Sequence, residues 1–214
     1  MDKKKIKRTI MALVGVAVGG VCVGIFNTAL LGADPFTVFV AGIGNLFGKG
    51  YGSVYALVTG VFLLFVFLID RHYIGIATIF NLFGIGTIAE LTMNLITEFY
   101  HSGPIWVRIT MLLFGVTLLS FASSLYFTAD LGVSAYDAVA LILSERLPVP
   151  FRFLRIGTDL ICVITGFICG ATIGAGTLIT AFFMGPFIHW FNIHAAQPIL
   201  KGKGLRKKVR QTEY

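Results

Sequence analysis

The 214-residue chain is 57% hydrophobic and only 13% charged, about half the charge of an ordinary soluble domain. That balance excludes a soluble globular domain, a disordered chain and an ordinary nucleic-acid-binding domain, and requires an integral membrane protein with several spans. The formal net charge of +7 sits mainly at the two ends: Lys3, Lys4, Lys5, Lys7 and Arg8 precede the first apolar run, and Lys201, Lys203, Arg206, Lys207, Lys208 and Arg210 follow the last.

Basic tails at 1–8 and 201–214 place both termini in the cytoplasm under the positive-inside rule, with anionic lipid as their natural partner and no nucleic acid implied. The first apolar run, Thr9–Leu31, is long enough to span and has no small-residue cleavage site, so it reads as an uncleaved helix. Gly32–Pro35 breaks the chain, and the short run Phe36–Phe47 follows. Next come Ser53–Ile69, Ile74–Thr97 and the longest run, Ile105–Ala129. Ala135–Leu147 is short and amphipathic, and Phe153–Cys169 and Gly174–Ile193 close the series. The breakers between them are Gly48–Gly52, Asp70–His72, His101–Pro104, Asp130–Ser134, Pro148–Pro150 and Gly170–Gly174.

The chain also repeats itself. At a shift of 100, Leu13, Gly15 and Val16 meet Leu113, Gly115 and Val116, and Thr28, Ala29, Leu31 and Gly32 meet Thr128, Ala129, Leu131 and Gly132. At a shift of 99, Ile74, Gly75, Thr78, Phe83 and Gly86 meet Ile173, Gly174, Thr177, Phe182 and Gly185. The expected fold is an all-α polytopic membrane protein of two ~100-residue repeats, 9–100 and 101–200. Each repeat holds three long transmembrane helices and one short helix, re-entrant or amphipathic. A 12-residue helix rises ~18 Å, too little to cross alone. If the short segments do not cross, there are six spans and inverted halves; if they do, there are eight spans and parallel halves. Length favours six.

Asp34-Pro35 opens the first short helix, since Asp caps backbone N–H groups and Pro suits the first turn. Ser134 takes the Asp34 place in the second repeat. Two short helices aiming their N-terminal ends at a shared cavity would favour anionic groups there. Asp34, Pro35, Ser134 and Asp137 are therefore the expected substrate-binding set, although Asp34 and Ser134 equally serve as plain caps. Asp159 lies inside an apolar run, where an ionisable residue is a functional candidate by default; Arg155, one turn earlier, offers an ordinary i,i+4 pair. Glu90 and His189 stand four residues after Gly86 and Gly185, so they could share a proton. Asp159, Glu90 and His189 form the expected coupling set. Asp137, Glu145 and Arg146 are expected to mark a wet cytoplasmic face, and Asn27 and Asn81 to bond between helices. Gly15, Gly19, Gly20 and Gly24 have the spacing of a close helix contact. Cys22, Cys162 and Cys169 fall in apolar runs and read as packing residues. No nucleotide, hydrolase or metal motif is present in the sequence, so neither an enzyme, a cofactor nor a metal is expected.

Leu31-Gly32-Ala33-Asp34-Pro35-Phe36 resembles the Leu-Gly-x-x-Pro-[Phe/Trp] signature of the YczE/YyaS/YitT-type bacterial membrane proteins. Leu131-Gly132-Val133-Ser134-Ala135-Tyr136-Asp137 resembles its second copy without the Pro, and Gly84-Ile85-Gly86-Thr87 resembles the Gly-x-Gly-Thr run of that family. The length and basic tails resemble the YczE branch. The resemblance implies a multi-pass protein of a bacterial plasma membrane and carries over no catalytic residues. The functional expectation is a small-molecule transporter or exporter with its site between the repeats. The alternative is a non-transporting membrane partner or assembly factor for another protein or biosynthetic complex. Self-association is open to either.

Overall fold

A computed structural model describes residues 3–99, 104–149 and 151–201. The distal part of each basic tail, the centre of the breaker at 101–104 and Pro150 lie outside the described residues. The described elements are helical, in the order α1 (Lys3–Ala29), α2 (Pro35–Phe47), α3 (Tyr51–Ile69), a 3-10 turn (Arg71–Tyr73), α4 (Ile76–Phe99), α5 (Ile105–Ala129), α6 (Ala135–Arg146), α7 (Phe151–Ile168) and α8 (Ala175–Phe191), which runs through a π-helical turn (Asn192–Ala196) into α9 (Gln197–Lys201). Four of them, α1, α3, α4 and α5, are long and apolar enough to cross a membrane. Their outward faces carry Leu57, Phe65, Phe83, Leu91, Leu113 and Phe114, all exposed, as lipid-facing helices must.

Two ends differ from the sequence reading. The first helix starts at Lys3, not Thr9, because the leading basic residues join the helix instead of preceding it. The last helical run continues past Ile193 to Lys201.

The longest helix pair is antiparallel. At one end, Arg108 near the start of α5 donates to the carbonyls of Ala29 (2.6 Å) and Leu30 (2.8 Å) at the end of α1. At the other, Arg8 of α1 lies 3.7 Å from Asp130, which follows α5. Small residues let α1 sit close to its neighbours: Gly15 faces Ala122 and Tyr126 of α5, while Gly20 and Gly24 face Ile88 and Thr92 of α4. Cys22 is fully buried in this core beside Phe26, Leu112 and Val116.

The breaks after α1 and α5 are built alike. Leu30 and Gly32 have positive φ (53° and 92°), as do Asp130 and Gly132 (52° and 107°). These turns leave backbone groups that need partners. The Leu31 carbonyl accepts from the Gly176 amide at 2.8 Å, at the start of α8; the Leu131 carbonyl accepts from the Ala77 amide at 3.1 Å, at the start of α4. The chains approach so closely that a Cβ on Gly174 would land on the Leu31 carbonyl oxygen, and one on Gly75 on the Leu131 carbonyl oxygen.

The short helices pack on the long helix of the other half of the chain. Backbone meets backbone where Gly42 of α2 crosses Gly166 of α7, and Asn45 donates to the Gly170 carbonyl at 2.9 Å. On the other side Ala138 and Ile142 of α6 join Val66 of α3. There the Tyr73 hydroxyl donates to Glu145, and Arg146 reaches the Ile69 carbonyl at 3.4 Å. That bond pushes the Tyr73 pKa up to about 12, since ionised phenol would lose it beside a carboxylate.

Gly75→Val and Gly174→Val should each destabilise the folded protein by about 1–3 kcal/mol, the usual range for overpacking, visible as a lower thermal midpoint in detergent. Gly185→Ala should not lower the midpoint, since a Cβ there meets nothing within 4 Å and alanine favours the helix over glycine.

Candidate functional site

Both short helices begin with a hydroxyl and a carboxylate three residues apart. In α2 the carboxylate is the cap: Asp34 accepts from the Thr37 amide at 3.1 Å and from the Thr37 hydroxyl at 2.6 Å, with Pro35 in the first turn. In α6 the roles are exchanged. Ser134 accepts from the Asp137 amide at 3.0 Å and donates to Asp137 Oδ2 at 2.7 Å. Each pair satisfies a free N–H of its first turn.

The two starts meet. Phe36 of α2 stacks on Tyr136 of α6, with ring centroids 4.8 Å apart and planes 19° from parallel. Arg155 of α7 lies 4.5 Å from the Tyr136 ring centroid. It is bonded to Asp137, and its Nε is 3.4 Å from Asp159 Oδ1. The Tyr136 hydroxyl donates to Asp159. Arg155 thus ties α7 to α6 through Asp137 while also holding Asp159 of its own helix, which Tyr136 ties to α6 in turn, a two-carboxylate geometry that Arg's planar fork suits.

A cavity of about 120 Å³ opens against this cluster, lined by Asp34, Thr37, Asp137 and Arg155 together with Tyr55, Thr59, Asn81 and Tyr126 from the long helices. Tyr55 donates to Asn81 Oδ1 at 2.9 Å. The Tyr126 hydroxyl is buried without a hydrogen-bond partner among the described residues, while Thr59 stands beside the Tyr55 hydroxyl. A second cavity, about 360 Å³, is lined by Asn27, Asn45, Lys49 and Tyr51. The start of α2 faces both: Asp34, Phe36 and Thr37 line the first, Ala33, Val38 and Ala41 the second. Tyr51, which lines the second, donates across to Thr37 at 3.4 Å.

Of the residues the sequence singled out, Asp34, Ser134, Asp137 and Asp159 come together here, with Pro35 buried behind the Asp34 cap. Asp159 is both the i,i+4 partner of Arg155 and a member of the cluster. Glu90 and His189 are not brought together. Glu90 accepts from the Gly52 amide at 3.2 Å, holding the start of α3, whereas His189 is exposed on α8. Equal places in sequence do not give equal facing, because α4 turns Glu90 toward α3 while α8 turns His189 outward. Asp137 is not on a wet face; its side chain is 15% exposed and held by Arg155. Glu145 and Arg146 are exposed. Asn81 bonds between helices, but Asn27 donates to Val23 in its own helix. Among the described residues no three His, Cys, Asp or Glu side chains converge to hold a metal.

The central roles of Arg155 and Tyr136 were not read from sequence. The available signal was an aromatic residue just after each short-helix opening, Phe36 and Tyr136. Thr59 gave no functional signal, since a threonine hydroxyl in an apolar run usually bonds its own helix, and Tyr126 is one aromatic among many in the apolar runs.

Arg155→Gln should destabilise the protein by about 3 kcal/mol, because two carboxylates then lose their partner at low solvent exposure. Arg155→Lys should fall between, keeping the charge but not the fork. Thermal midpoints of the purified variants check the order.

The comparisons with known proteins agree with the resemblance read from the sequence. The chain is 25% identical over 189 residues to an "Uncharacterized protein" of Haemophilus influenzae, covering 87% of this chain and 84% of that one. It is 25% identical over 156 residues to the "Uncharacterized membrane protein YczE" of Bacillus subtilis, covering 72% and 71%. No solved structure matches. With four helices long and apolar enough to span, the chain is a YczE-like membrane protein. The model of the "Family of unknown function (DUF6198)" matches residues 6–193, and the chain belongs to that family.

Proposed function

We propose that this protein is a small-molecule transporter of the bacterial plasma membrane, with its site in the cavity where α2 and α6 begin. One observation carries the reading. Two cavities meet α2, one at its start beside the carboxylate cluster and one farther along the helix against Val38, Ala41, Gly44 and Asn45. Irregular backbone at membrane depth is tolerated where it lines a cavity or is buried in protein, and paired broken helices around a central site are a recurring transporter construction.

The contacts also support two repeats of opposite orientation. The Leu31–Gly176 bond has its counterpart in Leu131–Ala77. Arg108 at the end of α1 has its counterpart in Arg8 at the end of α5. Asn45 on Gly170 matches Arg146 on Ile69. Helices α1 and α5 run antiparallel, which requires an odd number of crossings before α5. Three crossings per half, with α2 and α6 re-entrant, meet that requirement; four per half do not. In this arrangement α7 and α8 also cross. The 18 residues of α7 rise ~27 Å, and its Arg155 and Asp159 face protein instead of lipid. The basic tails then place both termini in the cytoplasm.

The test is a stability screen followed by flux. Solutes that raise the thermal midpoint of the detergent-purified chain are loaded against vesicles containing it. At 100 times its dissociation constant a ligand adds ~2.7 kcal/mol, enough to detect. At least one stabilising solute should enter protein-containing vesicles faster than protein-free ones, with Asp34→Asn reducing uptake at least tenfold. Stabilising solutes that all enter both kinds of vesicle equally would contradict transport.

A further inference from the structure

We infer that the central cavity binds one monovalent cation through Asp34, as an alkali metal ion or as the ammonium group of a small amine; this rests on, and narrows, the reading of that cavity as a transport site.

Helix N-termini ordinarily favour anions, which is what two converging short helices suggest at first. Here that role is already taken. Asp34 accepts the Thr37 amide of α2, and Ser134 with Asp137 closes the start of α6. An incoming anion would face the protein's own carboxylates. The charge count points the same way. Asp34, Asp137 and Asp159 gather around one guanidinium, and that guanidinium is committed to Asp137 and Asp159. Among the described residues Asp34 has no cationic side chain within ion-pair distance. Arg155 acts on Asp34 only from beyond ion-pair distance and is shared with two other carboxylates; an under-compensated carboxylate inside a membrane protein is costly, and a bound cation lowers that cost.

The cavity offers oxygens to complete such a site. Tyr126 of α5 is 5% exposed and lines the cavity, and its hydroxyl has no hydrogen-bond partner among the described residues. Thr59 of α3 lines the same cavity beside the Tyr55 hydroxyl. Buried hydroxyls left unpaired are unusual in proteins. One carboxylate with neutral oxygens suits a single positive charge, whereas a divalent ion takes several charged ligands. About 120 Å³ admits a small cation with a few waters or a small amine.

The test uses the full chain in detergent. Its thermal midpoint is followed against NaCl, KCl or methylammonium chloride, with ionic strength held constant by N-methylglucamine chloride, whose cation is far bulkier than the other three. At least one of the three should raise the midpoint saturably. Asp34→Asn, which keeps a good cap, should weaken that response at least tenfold, and Tyr126→Phe several-fold. Tyr126→Phe carries the test if Asp34→Asn fails to fold. A response to Na⁺ or K⁺ identifies an alkali-ion site; a response to methylammonium alone identifies an amine site. No response beyond N-methylglucamine, or an equal response in both variants, overturns the inference. The transport reading fails separately: cation stabilisation without flux in vesicles removes transport and leaves the cation site, while flux of an anionic or neutral solute with no cation response does the reverse.

Discussion

Everything in this structure follows from the need to satisfy backbone groups where helices break between long apolar runs. Water is scarce at that depth, so each exposed carbonyl or amide must find a partner in the protein. After α1 and after α5 the chain turns through two residues of positive φ and runs extended to the next helix. The Leu31 and Leu131 carbonyls are taken by amides at the starts of α8 and α4. Those bonds need near-contact of backbones, which is why Gly174 and Gly75 stand opposite. The pairing then fixes where α2 and α6 begin, and hence where their caps meet.

The site is a consequence of that geometry. Two helix starts brought together would present two partial positive charges to each other. Asp34 neutralises one and the Ser134–Asp137 pair the other, by the same two groups in exchanged positions. Phe36 and Tyr136 fill the contact between them. Arg155 then restores part of the charge balance and joins α7 to the start of α6. What remains is an acidic surplus beside the unpaired Tyr126 hydroxyl, in a cavity at the start of α2.

Much of this was legible in the sequence. The breaker at Gly32–Pro35 and the cap–proline pair located α2 to one residue, and Gly48, in the left-handed region at φ 60°, ended it as expected. The caps Asp34 and Ser134 are local chemistry, readable from a few residues. The acidic surplus around those starts was not, because it depends on carboxylates from α6 and α7 that only packing brings to Asp34. The Asp137–Arg155 pair joins two helices whose register comes from packing, so spacing along one helix could not show it. Glu90 and His189 failed for a related reason: position in a repeat fixes depth, while facing depends on which neighbour each helix meets.

In the proposed six-span arrangement the two halves have opposite orientation, so that the starts of α2 and α6 would meet from opposite sides of the membrane. Sided labelling of single cysteines tests it most directly, in a chain whose Cys22, Cys162 and Cys169 are replaced by alanine. Lys49 follows α2, and Arg71 follows α3. A membrane-impermeant maleimide applied to intact cells should label Lys49→Cys at once and Arg71→Cys only after permeabilisation. Labelling of Arg71→Cys from outside, with Lys49→Cys protected, would mean that the short helices cross, and would contradict the account.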